Sequence, residues 1–378
     1  MTGRLNLCTF FYKLRRPLSP YQTIPIVFSS NTDSSDYLIS DQEYIRDGFS
    51  FDYLPENAQE QRCVLGPCRF FLGYRRCVLS ASNGLLPFRY CNNGDEFCYL
   101  IWNPLTRKWR ELYVSAYGND EHESHVLVCE SSSSTWNTNP VGFKVVCIPE
   151  IKLPAKKFYL RIFSSGTGKW KNHKVLCSDK ITMLYEDTKK VVSDQSERLY
   201  WIIETNKIIA YDIKNRVGGC GECMLIDLPK NEEEDDYGSP SAAPSCLTVS
   251  EGCIFYIRIE SKQMNVSIWL LEEENDDSSE QWSWKVVQKI NVNEMLAGSD
   301  WNNTRITNLK PLGFSPLDRN VVFLQSDEYI FQYNILTRRS QLLSISSHLR
   351  GPISSYEFEV LPFLATSKPT IIPVIRRA

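Results

Sequence analysis

Three stretches of the sequence have residue types and spacings that invite chemistry. Cys220-Gly221-Glu222-Cys223 has the spacing of half a zinc site or of a redox dithiol. The chain has no second C-x-x-C, and the βαβ pattern expected around a redox motif is missing, so the stretch reads as a glycine-containing turn that happens to hold two thiols. His122, His125 and Cys129 offer metal-ligand types close together, but zinc needs four well-placed groups. Asp120, Glu121 and Glu123 mark their surroundings as a hydrophilic loop. Ser164-Ser165-Gly166-Thr167-Gly168-Lys169-Trp170 is glycine-rich and basic, yet it lacks the leading glycine and the Ser/Thr of a phosphate-binding loop. There is no Gly-x-Ser-x-Gly elbow. No catalytic residue, metal or cofactor is expected from these signals.

The elements that must carry these residues are strands. Segments such as "GFKVVCI", "ERLYWIIE", "KIIAYDI", "EGCIFYIRI", "VSIWLL" and "YIFQYNI" are short, aromatic and β-branched, and clusters of Gly, Asn, Asp and Ser separate them. Few windows place apolar residues at i, i+3, i+4 and i+7, the signature of a helix. The composition is that of an ordinary globular protein, with 42% hydrophobic, 12% aromatic and 23% charged residues. A formal net charge of −3 over 378 residues gives no electrostatic footprint for nucleic acid. No window reaches the ~18 apolar residues of a membrane span, so a soluble protein with no membrane partner is expected. Thirteen scattered cysteines without a secretion signal fit reduced thiols in the cytoplasm or nucleus.

One short pattern recurs. Trp102-Asn103 is followed by Thr106 and Trp109, and Phe163 is followed at the same offsets by Thr167 and Trp170, with Lys108 and Lys169 also matching. Tyr211-Asp212 and Tyr333-Asn334-x-x-Thr337 repeat its first half, and a weaker copy begins at Trp269. The aromatic positions 102, 163, 211, 269 and 333 lie 61, 48, 58 and 64 residues apart, close to the ~40 to 50 of propeller repeats once loops are inserted. Each unit predicts one small antiparallel sheet whose Asn or Asp turns the chain while its aromatics pack against a neighbour. The fold expected is an all-β, Kelch-like β-propeller of about six to eight blades, seven preferred, over residues 1–365, with 366–378 a C-terminal tail. The charged runs 231–245 and 272–280 read as solvated loops between units, and an alternative use as a surface selecting a basic partner stays open.

The segment "SASNGLLPFRYCNNGDEFCYLIWNPLTRKWREL", residues 80 to 112, resembles the associated domain of plant F-box proteins, the family with Kelch-like repeats behind an F-box. Ser82-Asn83-Gly84-Leu85-Leu86 and the Trp102 to Trp109 stretch carry the likeness. The resemblance implies a non-catalytic propeller that captures a protein for ubiquitination, with the F-box docking a Skp-type adaptor on a cullin scaffold. Leu5 to Tyr12 reads as strand, leaving no room for an F-box, so adaptor binding is expected only if an F-box is supplied upstream. A protein substrate is the partner expected of the chain itself. The alternative of a different class is a propeller enzyme acting on a glycan or small molecule, with residues from several blades converging on it.

Overall fold

The computed structural model of the chain describes residues 21–30, 50–51, 63–64, 77–78, 82, 84–91, 97–103, 108–113, 123–130, 142–183, 191–203, 206–214, 220–230, 244–260, 264–276, 279–296, 308–316, 318–326, 330–343, 357–366 and 372. Leu5 to Tyr12 lies outside them. In chain order the strands open with β1 (Tyr21–Ser30), β2 (Ser50–Phe51) and β3 (Cys63–Val64). A first four-stranded antiparallel meander follows, formed by β4 (Cys77–Val78), β5 (Leu86–Cys91), β6 (Phe97–Asn103) and β7 (Lys108–Tyr113). The second comprises β8 (Ser124–Glu130), β9 (Gly142–Ile148), β10 (Ile151–Ser164) and β11 (Lys169–Met183). The third is β12 (Val192–Ser193), β13 (Arg198–Ile203), β14 (Lys207–Asp212) and β15 (Cys220–Asp227). The fourth is β16 (Ser245–Ser250), β17 (Cys253–Glu260), β18 (Asn265–Asp276) and β19 (Ser279–Asn291). The short α1 (Val292–Leu296) is the one helix among the described residues. A fifth meander is β20 (Lys310–Ser315), β21 (Asp318–Gln325), β22 (Ile330–Asn334) and β23 (Arg339–Leu343), and β24 (Glu357–Thr366) closes the series.

The four-stranded meander is the blade unit of a β-propeller, and that is the fold class. Five such blades lie among the described residues. The expected six to eight is a count over the whole chain, and most residues before Cys77 lie outside the described set. No helix among the described residues is long and apolar enough to cross a membrane.

The chain divides into two compact units, Met1–Leu72 with Met295–Ser367 and Gly73–Glu294 with Lys368–Ala378. In the first, β1 pairs antiparallel with β24 through ten residues, from Tyr21↔Thr366 to Ser30↔Glu357. The fifth blade of that unit buries Phe314, Val322, Phe323, Leu324, Phe331 and Tyr333.

The second unit explains why its strands read as unbroken apolar runs. Successive side chains of a strand point to opposite faces, and here both faces are covered. Tyr99, Ile101 and Leu112 of the first blade pack with Leu127, Phe143, Val145 and Phe163 of the second, together with Ile372 from the C-terminal segment. The other face of the second blade, with Val126, Val146, Phe158, Leu160 and Ile162, packs on Leu199, Trp201, Ile209 and Tyr211 of the third. Tyr200, Ile208 and Ala210 leave the third blade on its far side and meet Leu247, Tyr256, Trp269 and Leu271 of the fourth. Adjacent residues of β14, Ile208 and Ile209, thus serve two different seams.

One loop reading is corrected. The acidic stretch from Glu272 is strand, because β18 and β19 stay in register to the end of their hairpin, from Glu272↔Ser283 through Asn275↔Glu280 to Asp276↔Ser279. Backbone pairing holds such a run in a strand whatever its charge. The swollen turn predicted between Trp269 and Trp282 is therefore a long two-stranded arm, with Glu273 opposite Trp282. A register shift between Ile268 and Trp269 leaves Val287 as the extra residue, so that Val286 and Val287 are both exposed where alternation would bury one. Of the other run, 231–243 lies outside the described residues and Ser245 begins β16. Digestion of the folded protein with a glutamate-specific protease should leave the bonds after Glu272 and Glu273 intact in the early time points. Cleavage there before any other site would mean that the hairpin ends short of the acidic run.

Candidate functional site

Apart from Trp269, which lies inside β18, the recurring aromatics occupy equivalent places at the end of the third strand of a blade. Trp102 stands opposite Trp109 and Asn103 opposite Lys108 across the β6–β7 hairpin, and both Trp102 and Asn103 are buried. Thr106 lies outside the described residues. Phe163 is opposite Trp170 across β10–β11, with ring centroids 5.4 Å apart. Thr167 sits in the turn, where its N–H and that of Gly168 both donate to the Ser164 carbonyl, at 3.2 and 2.8 Å. Tyr333 and Asn334 end β22, and the Asn334 Oδ1 accepts the Thr337 N–H at 2.9 Å. Asp212 does the same two residues on, taking the Lys214 N–H at 2.7 Å. The residue after the Thr turns the chain through the left-handed region, Gly168 at φ 67° and Arg338 at φ 54°. Tyr211 is buried with its ring against Gly221, where a Cβ would stand 2.7 Å from ring atoms. These side chains shape turns and seams, and the phosphate-loop look-alike is one of those turns.

The candidate metal ligands are not brought together as a set. His122 lies outside the described residues. His125 and Cys129 are on β8, a strand where a loop was expected, since Ser124 to Val128 are all buried against the neighbouring blades. Cys129 donates to the Ser82 carbonyl at 3.7 Å, and burial pushes its thiol up to about 12. His125 instead approaches two residues that the spacing did not single out, and Glu123, His125 and Cys147 offer ligand atoms within 4.8 Å of one another. A guanidinium already stands among them. Arg161 Nη2 lies 2.7 Å from Glu123 Oε2 and 3.9 Å from the Cys147 sulfur, and its guanidinium covers the Trp170 ring at 5.4 Å. The Tyr99 hydroxyl meets the Cys147 sulfur at 3.3 Å, and burial pushes that thiol up to about 11. A carboxylate neutralised by arginine beside a protonated thiol is an ion pair inside a seam. A metal would have to displace the arginine.

A second charged cluster ties the second blade to the third. Lys144 on β9 reaches Glu130 at 2.7 Å and Glu197 at 2.6 Å, and Lys214 adds a second cation to Glu197 at 3.1 Å. The Lys144 side chain is 14% exposed and that of Glu197 6%. Burial works against the Lys144 charge, but the hydrogen bonds it donates to Glu130 and Glu197 outweigh that and raise its pKa. Gly142 is opposite Glu130 in the β8–β9 register, and a Cβ there would overlap the carboxylate. Glu197 itself is held at φ 66° in the β12–β13 turn.

The β10–β11 hairpin presents a different surface. Residues 151–183 contain seven lysines and Arg161 against the single acid Asp179, in a chain whose formal charge is −3. Arg161 is committed to Glu123, and Lys156 donates to the Ser178 carbonyl at 2.7 Å. Lys157 and Tyr159 are two residues apart on β10 and share the outward face. Opposite them on β11 stand Leu176 and Lys174. Tyr159 is 55% exposed, and Leu153 further along the strand is 79% exposed. Lys152, beside Leu153, pairs with Glu150 at 3.3 Å, while Lys157 and Lys174 flank Tyr159, a face whose chemistry suits contact with acidic and apolar groups.

Residues 69–359 match the family model described as "F-box protein At3g26010-like, beta-propeller". The chain is similar to F-box protein At3g28330 of Arabidopsis thaliana, 23% identical over 253 residues that make up 63% of this chain and 53% of that protein. It is also similar to F-box protein At5g07610 of the same plant, 21% identical over 285 residues, 70% of this chain and 63% of the relative. The chain thus spans little more than half the length of these relatives. Among solved structures, Citrobacter koseri AztD aligns with 78% of this chain and 76% of its own at 10% identity, with a TM-score of 0.38, too loose a likeness to bear on fold or function.

Two expectations follow from the geometry. Trp102→Ala should lower the unfolding free energy by ~3 to 5 kcal/mol, as truncation of buried aromatics does, measured by denaturant titration. An unchanged midpoint would mean that the ring packs against nothing. Lys144→Met leaves Glu130 without its cation and Glu197 with Lys214 alone, and should cost roughly 3 kcal/mol. Adding Glu197→Gln should recover part of that loss, and strictly additive losses would show the groups to be independent.

Proposed function

The chain belongs to the At3g26010-like F-box-protein β-propeller family, and from that footing we propose that it is a non-catalytic module that recognises the protein substrate of an SCF-type (Skp-cullin-F-box) ubiquitin ligase. In this reading residues 1–365 make one propeller domain and 366–378 its tail, acting in the cytoplasm or nucleus. The repeat residues from Trp102 to Thr337 are scaffold. The titratable clusters in the described residues are closed on their own members, Glu123 on Arg161 and Glu197 on Lys144, which supports binding over catalysis.

The observation that carries the reading is the outward face of β10–β11, where Tyr159 stands exposed beside Lys157 and opposite Lys174, with exposed Leu153 further along the strand. The partner it suits is a protein segment of acidic and apolar character. Adaptor docking in this family role belongs to a helical F-box, and the only helix among the described residues is five residues long. The substrate falls to the propeller, and a Skp-type adaptor is expected to bind only where an F-box is supplied upstream.

Quantitative affinity purification from plant tissue tests this, comparing the native chain with Lys157→Glu/Lys174→Glu and with Lys310→Glu on β20 as a charge control. The double reversal should reduce recovery of the principal acidic partner at least tenfold, at an unchanged melting temperature, while the control retains it. Equal recovery by all three would remove the hairpin from the binding surface.

A further inference from the structure

The outer strands of the second and third blades meet directly. β11 and β15 run parallel over Lys174↔Cys220, Val175↔Gly221 and Leu176↔Glu222, joining the two meanders into one eight-stranded sheet. Cys177 follows Leu176 and Cys223 follows Glu222, so the register carries one more step and sets two thiols side by side. Their sulfurs are 2.8 Å apart, although the residues are 46 positions apart in sequence. Both belong to the apolar seam between the blades and are 8% and 7% exposed.

The C-x-x-C read from the sequence is not this pair. Cys220 and Cys223 lie within strand β15 rather than in a turn, and three steps along a strand put side chains on opposite faces. Cys220 is accordingly half-buried away from Cys223, whose side chain shares its face with Gly221 and meets Cys177 instead. Cys129 and Cys147 are engaged with the Ser82 carbonyl and the Tyr99 hydroxyl, and burial keeps both protonated at neutral pH.

We infer that Cys177 and Cys223 are a modification site, a thiol pair that a peroxide oxidises to a disulfide joining the outer rims of two blades. A small neutral oxidant can reach a thiol so nearly covered, where a peptide-sized disulfide cannot. Either sulfur can be the donor in their contact; with Cys223 donating, the pKa of Cys177 is lowered and that of Cys223 raised, and Cys177 gives up its proton. Its thiolate attacks one peroxide oxygen; the S–O bond forms, the O–O bond breaks, and the departing hydroxide takes up a proton to leave as water. The Cys223 sulfur then attacks the sulfenic acid; the S–S bond forms, the S–O bond breaks and a second water leaves. Two thiols lose two electrons and two protons to one peroxide, and the peroxide becomes two waters. In a reducing compartment the pair rests as thiols, so the rim is pinned by three backbone pairs until oxidant arrives and by a covalent bond afterwards.

The test uses the full chain, reduced, exposed to a few equivalents of hydrogen peroxide, blocked with an alkylating reagent and mapped by mass spectrometry without reduction. The expected product is a cross-linked peptide pair joining Cys177 to Cys223, lost in Cys177→Ser and in Cys223→Ser and kept in Cys220→Ser. Oxidation should raise the melting temperature by roughly 5 °C, reversed by reductant. The cross-link map of the unaltered chain decides the matter even if a serine variant fails to fold. Both cysteines recovered as separate alkylated or sulfinic residues, or cross-links that run through Cys220, would overturn the assignment.

Discussion

A four-stranded sheet that is apolar on both faces cannot stand alone in water, and this constraint governs the second unit. Each seam is filled from two blades at once. Neighbouring residues such as Tyr200 and Trp201 go to different seams, Tyr200 toward the fourth blade and Trp201 toward the second. A fully buried aromatic or aliphatic side chain contributes on the order of 1.5 to 3 kcal/mol relative to exposure, so a blade stripped of one neighbour loses a large part of what holds it. Cohesion in this arrangement is a property of adjacent pairs.

The same constraint decides where charge goes. Strands that are covered on both sides leave few positions for ionic groups, and those that enter a seam arrive with partners. Arg161 brings Glu123 and lies over Trp170, Arg258 lies 4.8 Å above the Trp269 ring and donates to the Pro229 carbonyl, and Lys144 binds two carboxylates. Lys152, Lys156, Lys157 and exposed Tyr159 lie on the stretch of β10 that precedes its pairing with β9, which begins at Arg161.

Much of this was legible in the sequence, and the failures have identifiable causes. Aromatic and β-branched runs marked the strands, and the Asn or Asp that follows an aromatic marked the turns, since Asn334 and Asp212 accept backbone N–H groups where the pattern placed them. Composition misjudged Glu272 to Asp276, because charge reports a side chain's preference for water and says nothing of whether its backbone is paired. Local spacing does not report which cysteines and histidines meet. The C-x-x-C is divided by the period of a strand, and the groups that do meet, Cys177 with Cys223 and His125 with Glu123 and Cys147, are chosen by register between strands. Register of that kind is set by seams that no single stretch of sequence displays.

The blades of the second unit hold one another through shared seams. Native-state hydrogen exchange under mild denaturant measures this directly, by following the amides of β9, β14 and β17, one inner strand from each of three consecutive blades. Shared seams predict that the slowest amides of all three strands exchange through a single opening of the same free energy and the same denaturant dependence. A blade whose innermost amides exchange through its own opening, several kcal/mol below the other two, would show that it stands on its own packing and would contradict the account.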